Sequence, residues 1–312
     1  MHCRRPNLLT IVTCLCIFTS TALSAAPFYN DPENNAALWV TSHPNDPRAA
    51  MIATWIASVP SAKWFTGGQE NVHDAARRYV DAASAVEEIP ILVAYNIPVR
   101  DCHGASSGGA KDEASYRAWI DDFAQGIGSA NAIVVLEPDA LAQLDCLPDD
   151  EARNARLRSL RYATASLRRF APVARIYLDA GHAGWIASAE MARRLDDAGL
   201  NDSDGFSLNV SNFYTTQANT TYANAVNSAL QKNYGYLRDT LIDTSRNANG
   251  SIGQWCNPAG AKIGVQPQQV SDNVLLAWIK RPGNSDGPCG VAPAFPAGAF
   301  SPDLAIRLIN GN

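Results

Sequence analysis

No stretch of this 312-residue sequence is apolar for the roughly 20 residues needed to cross a bilayer. The one apolar run of note, from Leu8 to about Phe18, follows Arg4 and Arg5 and precedes a string of small residues. That layout is a secretory signal peptide, with cleavage between Ser24 and Ala26. Residues 1–25 are therefore expected to be removed on export, and no membrane partner is expected. A basic surplus is also missing. Lys and Arg number 25 against 30 Asp and Glu, for a net charge of -5, which argues against a nucleic-acid partner. No GxGxxG or GxxxxGK[ST] follows a candidate strand, which weakens a nucleotide-binding reading. Neither CxxC nor HExxH occurs, which counts against zinc. There is no internal repeat and no linker rich in Pro, Ser and Thr, so residues 26–312 read as a single large domain.

Seven cysteines are present. Cys3, Cys14 and Cys16 fall in the leader, which leaves Cys102, Cys146, Cys256 and Cys289. An even number in an exported chain points to two disulfides. Spacing does not fix their connectivity; sequential pairing is the simplest.

Short apolar runs alternate with helical patterns. Strand candidates are Ile91–Ile97, Ala132–Leu136, Ala174–Leu178 and Phe206–Val210, nearly all apolar, as strands covered on both faces are. Helical spacing marks Asn71–Glu88, Glu113–Ile127, Asp149–Phe170, Ser188–Ala198 and Tyr222–Leu241. Asp149, Asp150 and Glu151 open one of these helices and Arg168 and Arg169 close it, in keeping with the helix dipole. Such alternation predicts a parallel α/β fold, either a barrel or an open doubly wound sheet.

The chemistry lies just past the strands. Asp101 follows the first, Glu137 and Asp139 the second, Asp179 and His182 the third. Asn209, Ser211 and Asn212 sit at the end of the fourth. In parallel α/β folds these ends build the active site, so several carboxylates should converge. A single Asp in such a place is often only a helix cap or turn former, but three in succession argue for more. Clustered carboxylates suit divalent-metal binding or glycoside hydrolysis, where one acid protonates the leaving oxygen. Trp64, Trp185 and Trp255 stand in loop-like contexts and offer flat apolar faces to a sugar ring. Trp39, Trp55, Trp119 and Trp278 read as packing residues.

The segments YNIPVRDC, VVLEPDALA, YLDAGHAGW, NVSNFY, DTSRNANG, QWCNPAG and WIKRPGNSDG occur in that order. Together they resemble glycoside hydrolase family 6, the inverting cellulases, from about Trp39 to the C-terminus. The resemblance implies a distorted parallel β/α barrel with its groove at the C-terminal strand ends. Residues 26–312 would form a single glycoside hydrolase catalytic domain, with no attached carbohydrate-binding module. It also implies Asp139 as proton donor, Asp101 as the acid that raises its proton affinity and arranges water, and Asp286 as the proposed base, directly or through a water chain. Tyr95 would lie under the reacting sugar and Ser107 would hold that ring and the water. Trp64, Trp185 and Trp255 would be sugar platforms. Asp179, His182, Asn212, Arg246 and Lys280 would orient sugar hydroxyls or neighbouring acids. The family's disulfides match the sequential pairing, Cys102 with Cys146 and Cys256 with Cys289.

One departure stands out: Asn284 occupies a position where the family commonly has Glu. The short segment from Trp255 to Asp286, and Ser188 three residues after Trp185, favour an endoglucanase over an exo-acting cellobiohydrolase. The expectation is thus a secreted or periplasmic, monomeric endo-β-1,4-glucanase that needs no metal or cofactor and acts on β-1,4-glucan or cello-oligosaccharides. A non-catalytic glucan-binding protein would keep the tryptophans without the acids. A metal-dependent hydrolase would lose activity to chelator.

Overall fold

The computed structural model describes residue 2 and residues 27–68 and 71–312; apart from residue 2, the expected signal peptide lies outside them. Helices α1 (Asn35–Ser42) and α2 (Ala49–Ile52) come first, and α2 runs on into a π-turn at Ala53–Ala57. Eight strands follow: β1 (Lys63–Phe65), β2 (Ile91–Ala94), β3 (Ile133–Leu136), β4 (Arg175–Asp179), β5 (Gly205–Leu208), β6 (Asp239–Asp243), β7 (Gln268–Ser271) and β8 (Val274–Ala277). The crossovers between the first six are α3 (Val72–Ser84), α4 (Glu113–Ile127), α5 (Asp150–Phe170), α6 (Ser188–Asp197) and α7 (Thr216–Tyr234), and α8 (Pro302–Asn310) closes the chain.

The sheet order is β1-β2-β3-β4-β5-β6-β8-β7, parallel throughout except for the antiparallel β7–β8 pair. The sheet curls until its ends nearly meet. At that seam the Ala62 amide donates to the Trp278 carbonyl at 2.9 Å, and Trp64 Nε1 donates to the Ile279 carbonyl at 2.9 Å. Strand alternation explains why one sheet has two apolar faces. Ile91, Val93, Ile133, Val135, Tyr177, Leu241 and Leu275 fill the inside of the curl. Leu92, Ala94, Val134, Leu136, Ile176, Leu178 and Phe206 face the crossover helices. This is the distorted parallel barrel, with one antiparallel strand at its open edge.

Helix starts follow local chemistry. The Asp112 and Asp149 side chains accept from the amides three residues on, at 2.8 Å each, and so cap α4 and α5. The expected helix Tyr222–Leu241 is corrected at both ends. It begins at Thr216 under a Thr215 cap and stops at Tyr234, because Gly235 takes the left-handed conformation (φ 83°). The last residues assigned to that helix belong to β6. Strand ends shift by one to three residues, most at Ile91–Ile97, which leaves the ladder after Ala94. Trp55 is not a packing residue: it is 50% exposed on the π-turn, whereas Trp278 is buried and Trp119 stacks on Phe123.

Candidate active site

The strands deliver their polar residues through an unusual backbone. Val99, Asp101, Cys102, Glu137, Asp139, Asn209, Ser211 and Asn257 all have positive φ without being glycine. Such conformations cost about 1–3 kcal/mol each and persist where surrounding contacts hold them. Here they lie just beyond the C-terminal ends of β2, β3 and β5 or in the loop after β6, and they turn side chains across the mouth of the curl.

Buried acids clamp these turns. Glu137, fully buried, accepts from the Asn96 and Ile97 amides at 3.0 Å each. Asp179 accepts from the Asp139 amide at 2.9 Å, the Gly181 amide at 3.0 Å and Ser207 Oγ at 2.9 Å. Asp139 itself is half-buried, and its carboxyl accepts no hydrogen bond among the described residues. Burial raises its pKa well above the carboxylate range; the charges of Asp179 and Asp101 raise it further and that of Lys280 opposes. Burial also pushes Asp179 up, to about 7, against the pull of its amide donors. Three donors serve the Asp179 carboxylate and, among the described residues, none serves that of Asp139, so of the two it is Asp139 that keeps a proton more firmly.

Asp101 sits in the turn after β2, where its Oδ2 accepts from the Ser106 amide at 2.7 Å. Gly104 leaves room for it: a Cβ there would fall 2.5 Å from that oxygen. Arg100 steadies the same loop by donating to the carbonyls of Tyr95, Thr66 and Ser106. The disulfide from Cys102 to Cys146 ties it to the segment after β3.

Asp286 has the opposite environment. Its carboxylate meets Arg246 Nη1 at 2.8 Å and Lys280 Nζ at 2.9 Å, and accepts from the Asn257 amide at 3.0 Å. Burial alone would raise its pKa, but the two cations outweigh that and hold it at about 2. Asn257 Oδ1 accepts in return from the Asp286 amide at 2.9 Å, and the Cys256–Cys289 disulfide sits beside it.

These groups share one cleft of about 1020 Å³. Asp101, Asp139 and Asp286 line it together with Tyr95, Ser107, Trp64, His182, Trp185, Asn212, Trp255, Lys280 and Asn284. Asp179 and Arg246 do not line it; they stand behind the wall and touch Asp139 and Asp286 respectively. Trp64 is half-buried on β1 and meets Tyr95 edge-on at 5.2 Å. Trp185 and Trp255 are 39% and 56% exposed, open to a ligand's face. His182 stacks on Tyr214 at 4.5 Å, and its Nδ1 accepts from the Gly184 amide at 3.2 Å. Burial lowers its pKa to about 4, so the ring is neutral near pH 6 and its proton sits on Nε2. Among the described residues, no three His, Cys, Asp or Glu side chains converge as metal ligands.

A family model described as Glycosyl hydrolases family 6 matches residues 18–311. The chain belongs to that family. Endoglucanase 1 of Streptomyces halstedii is 43% identical over 98% of this chain and 99% of its own length. Endoglucanase A of Thermobispora bispora is 41% identical over 91% of this chain, which spans 62% of that longer protein. Among solved structures, the endoglucanase Cel6 from Mycobacterium tuberculosis, in complex with methyl-cellobiosyl-4-deoxy-4-thio-β-D-cellobioside, aligns with a TM-score of 0.84. It shares 38% identity and covers 93% of this chain and 98% of that one. The family 6 fold thus accounts for the curled parallel sheet and for the position of the cleft.

Sequence reasoning passed over three clamps of this family 6 site. Glu137 stood out only as a strand-end acid, and Asp243 and Asn257 not at all, although each lies inside a segment that carries the resemblance. The available signal was position: Glu137 immediately follows a buried strand, Asp243 closes one, and Asn257 follows a bridged cysteine.

Proposed function

We propose that this chain is an endo-1,4-β-glucanase that hydrolyses cellulose-type chains by a single inverting displacement. The observation that carries this reading is the pair of opposed acids on one open cleft: Asp139 held protonated by burial and by neighbouring carboxylates, and Asp286 held ionised by two cations. Glycoside hydrolysis needs a proton donor that keeps its proton at the working pH. Asp139 donates to the glycosidic oxygen while water attacks the anomeric carbon from the opposite face. Asp101 supports the protonated form of Asp139 by its charge and orders the water with Ser107. Asp286 binds protons weakly, so it steadies the water's departing proton, which passes on through water to solvent.

Tyr95 lies under the reacting ring. Trp64, Trp185 and Trp255 carry neighbouring sugars on their faces. His182, neutral and with Nδ1 occupied, donates from Nε2 to a sugar hydroxyl, and Asn212 and Lys280 bind others. Asp179 and Arg246 fix the two acids from behind. The names of the three similar proteins, all endoglucanases that align over most of this chain, support the β-1,4-glucan substrate and internal cleavage. Residues 26–312 act as one monomeric catalytic domain, and residues 1–25 direct its export and are removed in the process. The two disulfides favour an extracytoplasmic compartment.

The test is hydrolysis of cellohexaose with EDTA present, followed by proton NMR. The α-anomer should appear first, with products of mixed length. A β-anomer first, or dependence on added metal, refutes the mechanism; stepwise release of cellobiose alone refutes internal cleavage.

A further inference from the structure

One fully buried carboxylate plays no part in this chemistry, yet it meets three of the loops that do. Asp243 closes β6 with none of its surface exposed. Its Oδ2 accepts from the Ser211 amide at 3.0 Å and the Lys280 amide at 2.9 Å. Its Oδ1 accepts from the Ser245 amide at 2.9 Å and, more loosely, the Ile279 amide at 3.3 Å. Its own carbonyl accepts from Asn209 Nδ2 at 2.8 Å. These donors come from the loops after β5, β6 and β8.

Each loop brings a working part. The β5 loop carries Asn212, and its Ser211 carbonyl accepts from Arg246 Nη2 at 2.5 Å. The β6 loop carries Arg246 directly after Ser245. The β8 loop carries Lys280 itself. Arg246 and Lys280 are the two cations that hold Asp286 ionised. Farther from the strands the β6 and β8 loops are tied by the Cys256–Cys289 disulfide and by the Val291 amide, which donates to the Asn257 carbonyl at 3.0 Å; at the strand ends it is the Asp243 carboxylate that bridges all three loops.

We propose that Asp243 is a positioning residue for hydrolysis: one carboxylate sets the β5, β6 and β8 loops in register and thereby places Asp286 and its two cations against the substrate. Only an ionised acid offers acceptors to four amides at once. An amide side chain turns an N–H toward one pair of these donors and must push a loop away. Displacements of about 1 Å from such a cause can reduce turnover on the order of a hundredfold.

This inference rests on the proposed hydrolysis, and wild-type turnover of cellohexaose in the same assay tests that reading separately. Asp243→Asn is compared with wild type and with Leu160→Ala, a substitution on the buried face of α5 that does not line the cleft, all at a temperature where circular dichroism shows each protein folded. Asp243→Asn is expected to lose kcat by at least about tenfold with KM within about threefold, while Leu160→Ala keeps kcat. A smaller fall in kcat, or a loss carried by KM alone, overturns the proposal and leaves Asp243 a fold-stabilising group only. Should Asp243→Asn not fold, Asp243→Glu keeps the charge but moves it by one methylene, and the same criterion applies.

Discussion

Glu137 should make this protein's stability fall as the pH rises through neutrality, and replacing it by Gln should remove that fall. The residue has no exposed surface. Burial raises its pKa from an ordinary 4.5 to about 7, although the Asn96 and Ile97 amides pull the other way. In the unfolded chain it would ionise near 4.5; in the folded chain it keeps its proton to about 7. A group raised in this way favours folding most below its unfolded value, and the advantage is lost as pH climbs from about 4.5 through 7. The displacement corresponds to about 3 kcal/mol. For a domain of this size 1 kcal/mol moves Tm by about 2–4 °C, so the effect spans about 6–12 °C. Glu137→Gln cannot ionise. It loses acceptor strength toward the two amides at every pH, a constant penalty, but it does not share the pH-dependent part. Calorimetry of both proteins from pH 4.5 to pH 8 should show the Tm difference, variant minus wild type, rising by that amount. A difference that stays flat across the range would refute the argument that burial dominates this carboxyl.

Three other expectations concern the cleft. Asp139→Asn should fold normally and lose about 10²–10⁴ in kcat, the usual contribution of a placed general acid; near-normal turnover of cellohexaose would show that another group donates the proton. Arg246→Met breaks a buried pair and leaves Asp286 with Lys280 alone, so urea unfolding should show a loss of about 3–5 kcal/mol, and a loss below about 1 kcal/mol would mean that the pair is solvent-screened. Trp255→Ala removes an exposed stacking face, so KM for cellohexaose should rise about tenfold with kcat kept; an unchanged KM would place the sugar elsewhere.

The sequence was most readable where burial was most uniform. β2 and β3 are continuous apolar runs and β4 and β5 mostly so, and each declared itself and the polar residues beyond it. β1, with three residues, and β7, exposed along its length, offer no such run. β6 was absorbed into the helix before it, because Leu237 and Leu241 continue the apolar spacing past Gly235. Asp101, Asp139 and Asp286 could be named because they sit in distinctive segments. What those segments could not show is direction. Asp139 lies just past a buried strand and Asp179 ends one, yet the first faces the cleft and the second turns back to hold its neighbour's amide. That difference lies in left-handed backbone at Asp139, which residue type alone does not reveal. Asp243 stayed hidden for a similar reason: its partners are main-chain amides, and amides are everywhere in a sequence.

The left-handed rim also bears on how this protein would respond to laboratory evolution. A screen that rewards heat resistance alone would be drawn to Asp139 and Ser211, where glycine relaxes the left-handed backbone at no steric cost. The most heat-tolerant descendants would then be blunted catalysts, their cleft loosened at the points where strain had kept it taut. Directed improvement is better aimed at the far side of the sheet, among the crossover helices, where the chain can be made stiffer without touching the rim.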